Sequence, residues 1–191
     1  IGLNERENED LMISHNESGY WMQAEPLEGI NTPYNEGSAT LSPDGKSIVF
    51  ARCGSPDGLG LCDLYISQRQ EDGTWSKAEN LNKTVNSIYW DSHPSFSHTG
   101  DTLYFASDRI GGFGLSDIYF THKNDKGEWT KPQNMGPVIN TRGSEVSPFF
   151  HPGHEVLYFS SNGHLLNFGE FDIYKSYRTH SIWEEPKNIG P

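Results

Sequence analysis

Basic residues are scarce in this sequence. Lys and Arg number 14 against 26 Asp and Glu, a formal net charge of −12 over 191 residues. Such a chain lacks the basic face that neutralises phosphates, so no nucleic-acid partner is expected. Nor does it offer a polybasic patch for anionic lipid. No stretch approaches the roughly 18 consecutive apolar residues of a membrane-crossing helix, and no membrane insertion is expected. Cysteine is confined to Cys53 and Cys62. There is no HExxH, no GxSxG, no Walker lysine and no strand-following GxGxxG; catalysis within the chain, a metal and a cofactor are therefore not expected. What the sequence does have is 13% aromatic residues, too many for a disordered acidic tail. Its 20 Gly and 11 Pro are spread along the chain, the punctuation of many short strands and turns.

The tryptophans expose a repeat. Trp21, Trp75, Trp129 and Trp183 stand at steps of 54 residues, with Trp90 outside the series. Around them the text recurs as GYWMQAEPL, GTWSKAENL, GEWTKPQNM and SIWEEPKNI. Before each Trp comes an Asp-led run: DLMIS from Asp10, DLYIS from Asp63, DIYFT from Asp117 and DIYKS from Asp172. A third series, SIVFA, TLYFA and VLYFS, places Phe50, Phe105 and Phe159 in register. Four short alternating runs per unit, separated by Gly, Pro, Asn and Asp, match the period of a four-stranded propeller blade. The fold class is therefore all-β: a partial β-propeller of antiparallel four-stranded blades, about three and a half of them at 54 residues each. The half blade covers 10–30 and the full blades 31–82, 83–136 and 137–191. In the last, strands are expected near Val146–His151, Val156–Ser160, Asp172–Tyr177 and Ile182–Ile189. The first residue is Ile1, and the chain stops at Gly190-Pro191, where the next Val/Ile-Asn is due. The expectation is a piece of a longer propeller, associating through its exposed blade faces.

One series points to a site. Glu36, Asp91 and Glu145 each follow an Asn-led turn and stand at the entrance of the innermost strand. Ser38, His93 and Ser147 lie two residues further on, hence on the same side of a regular strand. One reading is a negatively biased channel rim that binds a cationic or hydroxyl-rich ligand. The other is that each acid bonds the turn before it. The loops between second and third strands vary between units, and variable loops on a rigid scaffold often carry function. They offer Asp108, Arg109, Asn162 and His164 as loop contacts, or as solvated loop residues. Cys53 and Cys62 close one such hairpin, either as a disulfide suited to an oxidising compartment or as two free thiols.

The order of SPDGK (Ser42–Lys46), LYFAS (Leu103–Ser107), a hairpin with Asp108-Arg109 and Gly111-Gly112, then DIY, Trp129, PQNMG and INT resembles the TolB-like, WD-repeat-like β-propeller repeats. The resemblance covers Asp10 to Pro191 and is closest to the version in cell-envelope proteins of Bacteroidetes-type bacteria, where the propeller often precedes an OmpA-like domain. Arg52-Cys53-Gly54 and Ser161-Asn162-Gly163 depart from the hairpin pattern. The resemblance implies a non-enzymatic scaffold, periplasmic or outer-membrane-associated, that binds a protein or peptide partner in the envelope. Two alternatives stand beside it: the gating propeller of a prolyl-oligopeptidase-like serine peptidase, and a carbohydrate-binding or polysaccharide-lyase propeller.

Overall fold

A computed structural model describes residues 8–190; Pro191 and the first seven residues lie outside them. The half unit consists of two short ladders, β1 (Met12–Ile13) with β4 (Glu25–Pro26) and β2 (Asn16–Glu17) with β3 (Tyr20–Trp21). Three antiparallel sheets follow, each in sequence order. The first is β5 (Asn35–Leu41), β6 (Ser47–Cys53), β7 (Cys62–Gln68) and β8 (Glu79–Asn80). A single helical turn, α1 (Asn82–Val85), leads to β9 (Asp91–Phe96), β10 (Thr102–Ser107), β11 (Asp117–His122) and β12 (Gln133–Asn134). The third sheet holds β13 (Glu145–Phe150), β14 (Val156–Ser161) and β15 (Asp172–Thr179), with β15 pairing both β16 (Ile182–Trp183) and β17 (Lys187–Asn188).

The second strand of each blade explains how the sheets stack. Neighbouring side chains on a strand point to opposite faces. In β6, Phe50 joins a cluster with Leu27 and Ile30 on the side of the half unit, while Val49 joins Phe96 and Phe105 on the side of the second blade. In β10, Leu103 and Phe105 face back to Val49, and Tyr104 faces forward to Phe150, Leu157 and Phe159. Both faces are apolar, so the sheets pack face to face with one core between each successive pair. Phe50, Phe105 and Phe159 are 0–1% exposed; burying each contributes about 1.5–3 kcal/mol. Trp75, Trp129 and Trp183 cap the outer ends of these three cores. Trp21, in the two-ladder unit, is 74% exposed.

The last strand of the third blade differs from expectation. It is not continuous over Ile182–Ile189 but broken between Trp183 and Lys187. Pro186 has no N–H to give to the ladder. A hydroxyl of the third strand bridges this gap: Ser176 Oγ donates to Glu184 O, as Thr121 Oγ1 does to Thr130 O and Ser67 Oγ to Ser76 O.

Candidate functional site

The three acids at the strand entrances are buried, at 1% exposure for Glu36 and 0% for Asp91 and Glu145. Each accepts from the turn of its own unit. Glu36 takes the N–H and hydroxyl of Thr32, Asp91 those of Ser87, and Glu145 those of Thr141. A third donor completes each clasp: Arg52 Nε at 2.6 Å for Glu36 and Ser161 Oγ at 2.6 Å for Glu145, each on the oxygen that also takes the Thr hydroxyl, and Arg109 Nη2 at 2.5 Å on the free oxygen of Asp91. A buried carboxylate without such partners would cost several kcal/mol (~3–5). These acids are thus engaged inside the blades and do not stand free on the axis.

The basic groups form a matching series. Arg52 Nη2 donates to Ile30 O and Arg109 Nη2 to Val85 O, both at 2.9 Å; His164 Nε2 meets Ile139 O at 3.0 Å. Arg52 lies over the rings of Phe50 and Tyr65, and Arg109 over Phe105 and Tyr119, within cation–π range. His164 packs against Phe159 and Tyr174 in the same position. Of the loop candidates, Arg109 and His164 therefore fasten a blade to the turn that leads into it. Asp108 and Asn162 fasten the hairpin to the inner strand, accepting from Trp90 N and Ser144 N, both at 2.7 Å. Arg52 was missed by the sequence reading because it sits in a strand, where an Arg between Ala51 and Cys53 gives no loop signal. Cys53 and Cys62 face each other at the end of the β6–β7 ladder as a disulfide, with Cα atoms 4.0 Å apart.

Ser38, His93 and Ser147 do come together. Each lies in a β-bulge of its inner strand, with φ of 48°, 52° and 52°. The extra residue breaks the period-2 alternation, so these residues face away from the buried acids two positions earlier. They line a groove of about 460 Å³ shared by β5, β9 and β13, with Leu41, Pro94, Pro148 and Phe149 as apolar walls. Leu41 is 55% and Phe149 52% exposed. The inner strands are tied laterally, Phe96 N donating to Thr40 Oγ1 and Phe150 N to Ser95 Oγ. His93 is the one titratable side chain of the groove among the described residues. Ser147 N donates to its Nδ1 at 3.3 Å, the Trp90 ring meets it edge-on at 5.0 Å, and burial pushes its imidazole below the ordinary value of 6.5. The groove is therefore uncharged at neutral pH: hydroxyls, backbone and apolar side chains. The walls Pro94, Pro148 and Phe149 escaped the sequence reading; a Pro after the bulged residue in two units was the available signal.

Among the described residues no group of three or more His, Cys, Asp or Glu is placed to hold a metal. No helix among them is long and apolar enough to cross a membrane.

No family model matches this chain, and no curated protein does. Solved structures do. An α-L-arabinofuranosidase of Fusarium graminearum superimposes with a TM-score of 0.56 at 13% identity, over 91% of this chain and 55% of that one. An α-L-arabinofuranosidase from Lactobacillus brevis gives 0.53 at 15% identity, over 87% and 60%. A puromycin hydrolase gives 0.51 at 10% identity, over 93% of this chain and 27% of that one. The chain thus spans between about a quarter and three fifths of the length of these three proteins. These likenesses show the fold, a β-propeller. The expectation of a non-enzymatic chain is corrected by the same finding, for the three proteins just named, whose fold it shares, are enzymes. A reacting constellation gathered from separate blades, or held in a separate domain, leaves no contiguous motif within one propeller segment.

Proposed function

We propose that this chain is a propeller module of a hydrolase, and that its axial groove receives an extended, uncharged peptide segment of the substrate while the bond-breaking groups stand outside the module. The observation that carries this reading is the chemistry of the groove. Its acids are buried in clasps, and what remains is neutral, hydroxyl-bearing and walled by Pro94, Pro148 and Phe149. Glycoside hydrolysis ordinarily requires two carboxylates at the reacting bond, which such a groove does not present; a surface of this kind lines a path or a binding cleft. The puromycin hydrolase match supports the division of labour, since 27% of that chain is covered and the rest lies outside the match. The Cys53–Cys62 bond supports an oxidising compartment for the module. Phe149, exposed beside the Ser38 and Ser147 hydroxyls, supports a second reading in which the groove holds a saccharide against that ring.

The test is a titration followed by nuclear magnetic resonance, with Ac-Ala-Ala-Pro-Ala-amide and arabinobiose as the two probes. The expected result is a shift of the His93 ring and Ser147 amide signals with the peptide, absent in a Ser147→Trp variant that fills the groove. Shifts with arabinobiose alone would replace the peptide reading by the saccharide one. Silence with both would remove the groove as a site.

A further inference from the structure

The blades are joined by a contact that recurs at every junction. Asn86, in the turn leading into the second blade, uses its side-chain amide as a small strand: Oδ1 accepts from Leu64 N at 2.9 Å and Nδ2 donates to Leu64 O at 3.0 Å. Asn140 does the same to Ile118, at 2.8 and 2.9 Å, and Asn31 to Leu11, at 3.0 and 2.9 Å. The residue before each Asn is Ile30, Val85 or Ile139, all 0% exposed, and the residue after it is Thr or Ser. Each junction is thus read by one short text: an apolar β-branched residue, Asn, then a hydroxyl residue.

Ile173 is the fourth member of the series that received those amides. It follows Asp172 as Leu64 follows Asp63 and Ile118 follows Asp117. Leu64 and Ile118 are 0% exposed, Ile173 is 50% exposed, and no side chain among the described residues bonds its N–H. Gly169 adds an independent observation. In the first two blades the corresponding glycines are pressed by the next turn. A Cβ on Gly60 would stand 2.0 Å from Tyr89 O, and one on Gly114 would stand 2.2 Å from Gly143 O. Leu61 N and Leu115 N bond those same carbonyls. At Gly169 the nearest atom to such a Cβ is Asp172 Oδ1 at 3.8 Å, and the residue is not in the left-handed region. Nothing within the described residues requires a glycine there.

We propose that the face of the third sheet around Gly169 and Ile173 is a docking surface for a further unit of this same repeat, one that opens on Ile or Val, then Asn, then Thr or Ser. Its Asn amide pairs with the Ile173 N–H and C=O, its following turn passes over Gly169, and its apolar residue enters the core beside Ile173. This surface lies on the open side of the third blade and is independent of the axial groove.

The test extends the full chain after Pro191 with a second copy of residues 138–190, which recreates the junction Gly-Pro-Val-Ile-Asn. Amide hydrogen exchange at Ile173 is the readout. It is expected to slow by about tenfold or more on extension, the effect of closing a hydrogen-bonded pair, and to return to the starting rate when the Asn140 of the added copy is replaced by Ala. Unchanged exchange at Ile173 in the extended chain would overturn the proposal. A second measurement needs no extension: Gly169→Ala is expected to leave the Tm of the original chain unchanged, whereas Gly114→Ala lowers it. Equal losses would mean that Gly169 serves the chain itself, against the proposal. Ile173 protection that rises with concentration of the unextended chain would assign the surface to a second copy instead.

Discussion

The backbone N–H of Ser147 donates to Nδ1 of His93 at 3.3 Å, joining the inner strand of the third blade to that of the second. The bond requires a lone pair on Nδ1, so the ring that accepts it is neutral. Burial holds this imidazole below its ordinary 6.5. A histidine depressed in the folded state binds its proton more readily when unfolded. Its contribution to stability is therefore complete above 6.5 and is lost as the pH falls below that value. Thermal unfolding between about pH 7 and pH 5 should show the wild-type Tm falling relative to His93→Gln, which keeps a neutral acceptor. Parallel curves would remove His93 as the cause. The carboxylates of Asp44, Asp57 and Asp101 are held below 3.8 by hydroxyls of Ser42, Ser55 and Thr99, so their contributions are lost only below that pH, in a separate window.

Replacing Arg109 by Met should be among the most damaging single changes. It leaves Asp91, fully buried, with its turn bonds but no cation. The expected loss is about 3–5 kcal/mol in denaturant unfolding. Adding Asp91→Asn to Arg109→Met should recover part of that loss; a double variant as unstable as the single would show that packing over Phe105 and Tyr119 dominates.

His164→Ala should cost less than Arg109→Met. It removes one bond to Ile139 O and leaves Glu145 with all three of its hydroxyl and backbone donors. A loss of about 1 kcal/mol is expected from the urea midpoint; a loss as large as that of Arg109→Met would mean that the packing of the ring on Phe159 and Tyr174 holds the junction.

Asn86→Ala should weaken one junction selectively. It breaks both bonds to Leu64 and the bond to Asn80 Oδ1, leaving the buried Leu64 N–H without a partner while Leu64 O keeps its bond from Leu81 N, at about 1–3 kcal/mol. Hydrogen exchange should speed at Leu64 and leave Ile118 nearly unchanged. Uniform acceleration along the chain would mean that the blades unfold as one unit.

Thiol titration of the unfolded chain without reductant should find no free cysteine. Reduction should lower stability by about 2–3 kcal/mol, the chain-entropy value for a loop of this size, since the two cysteines are 9 positions apart. Two reactive thiols before reduction would contradict the bond.

Much of the architecture was legible because the 54-residue Trp step and the Phe50–Phe105–Phe159 series are periodic, and periodicity reports stacked blades directly. The groove was half legible. Ser38, His93 and Ser147 do gather, but a strict two-residue alternation placed Glu36, Asp91 and Glu145 beside them. The bulge that separates the two sets uses Ser and His at positive φ, where no glycine marks it. The basic clasps were hidden for a different reason. Counted from Phe50, Phe105 and Phe159, the groups that reach Ile30, Val85 and Ile139 come from three different offsets, as Arg52, Arg109 and His164. The fold conserves the place of the contact in space, and an alignment of units does not reveal it.

The asparagine clamp also orders events in time. Leu64 and Ile118 each wait for an amide that lies 22 positions later, and Leu11 for one 20 positions later. On a ribosome, where chains emerge N-terminus first, every blade is therefore sealed by its successor. A growing chain carries one unfinished seam at a time, always the one nearest the exit.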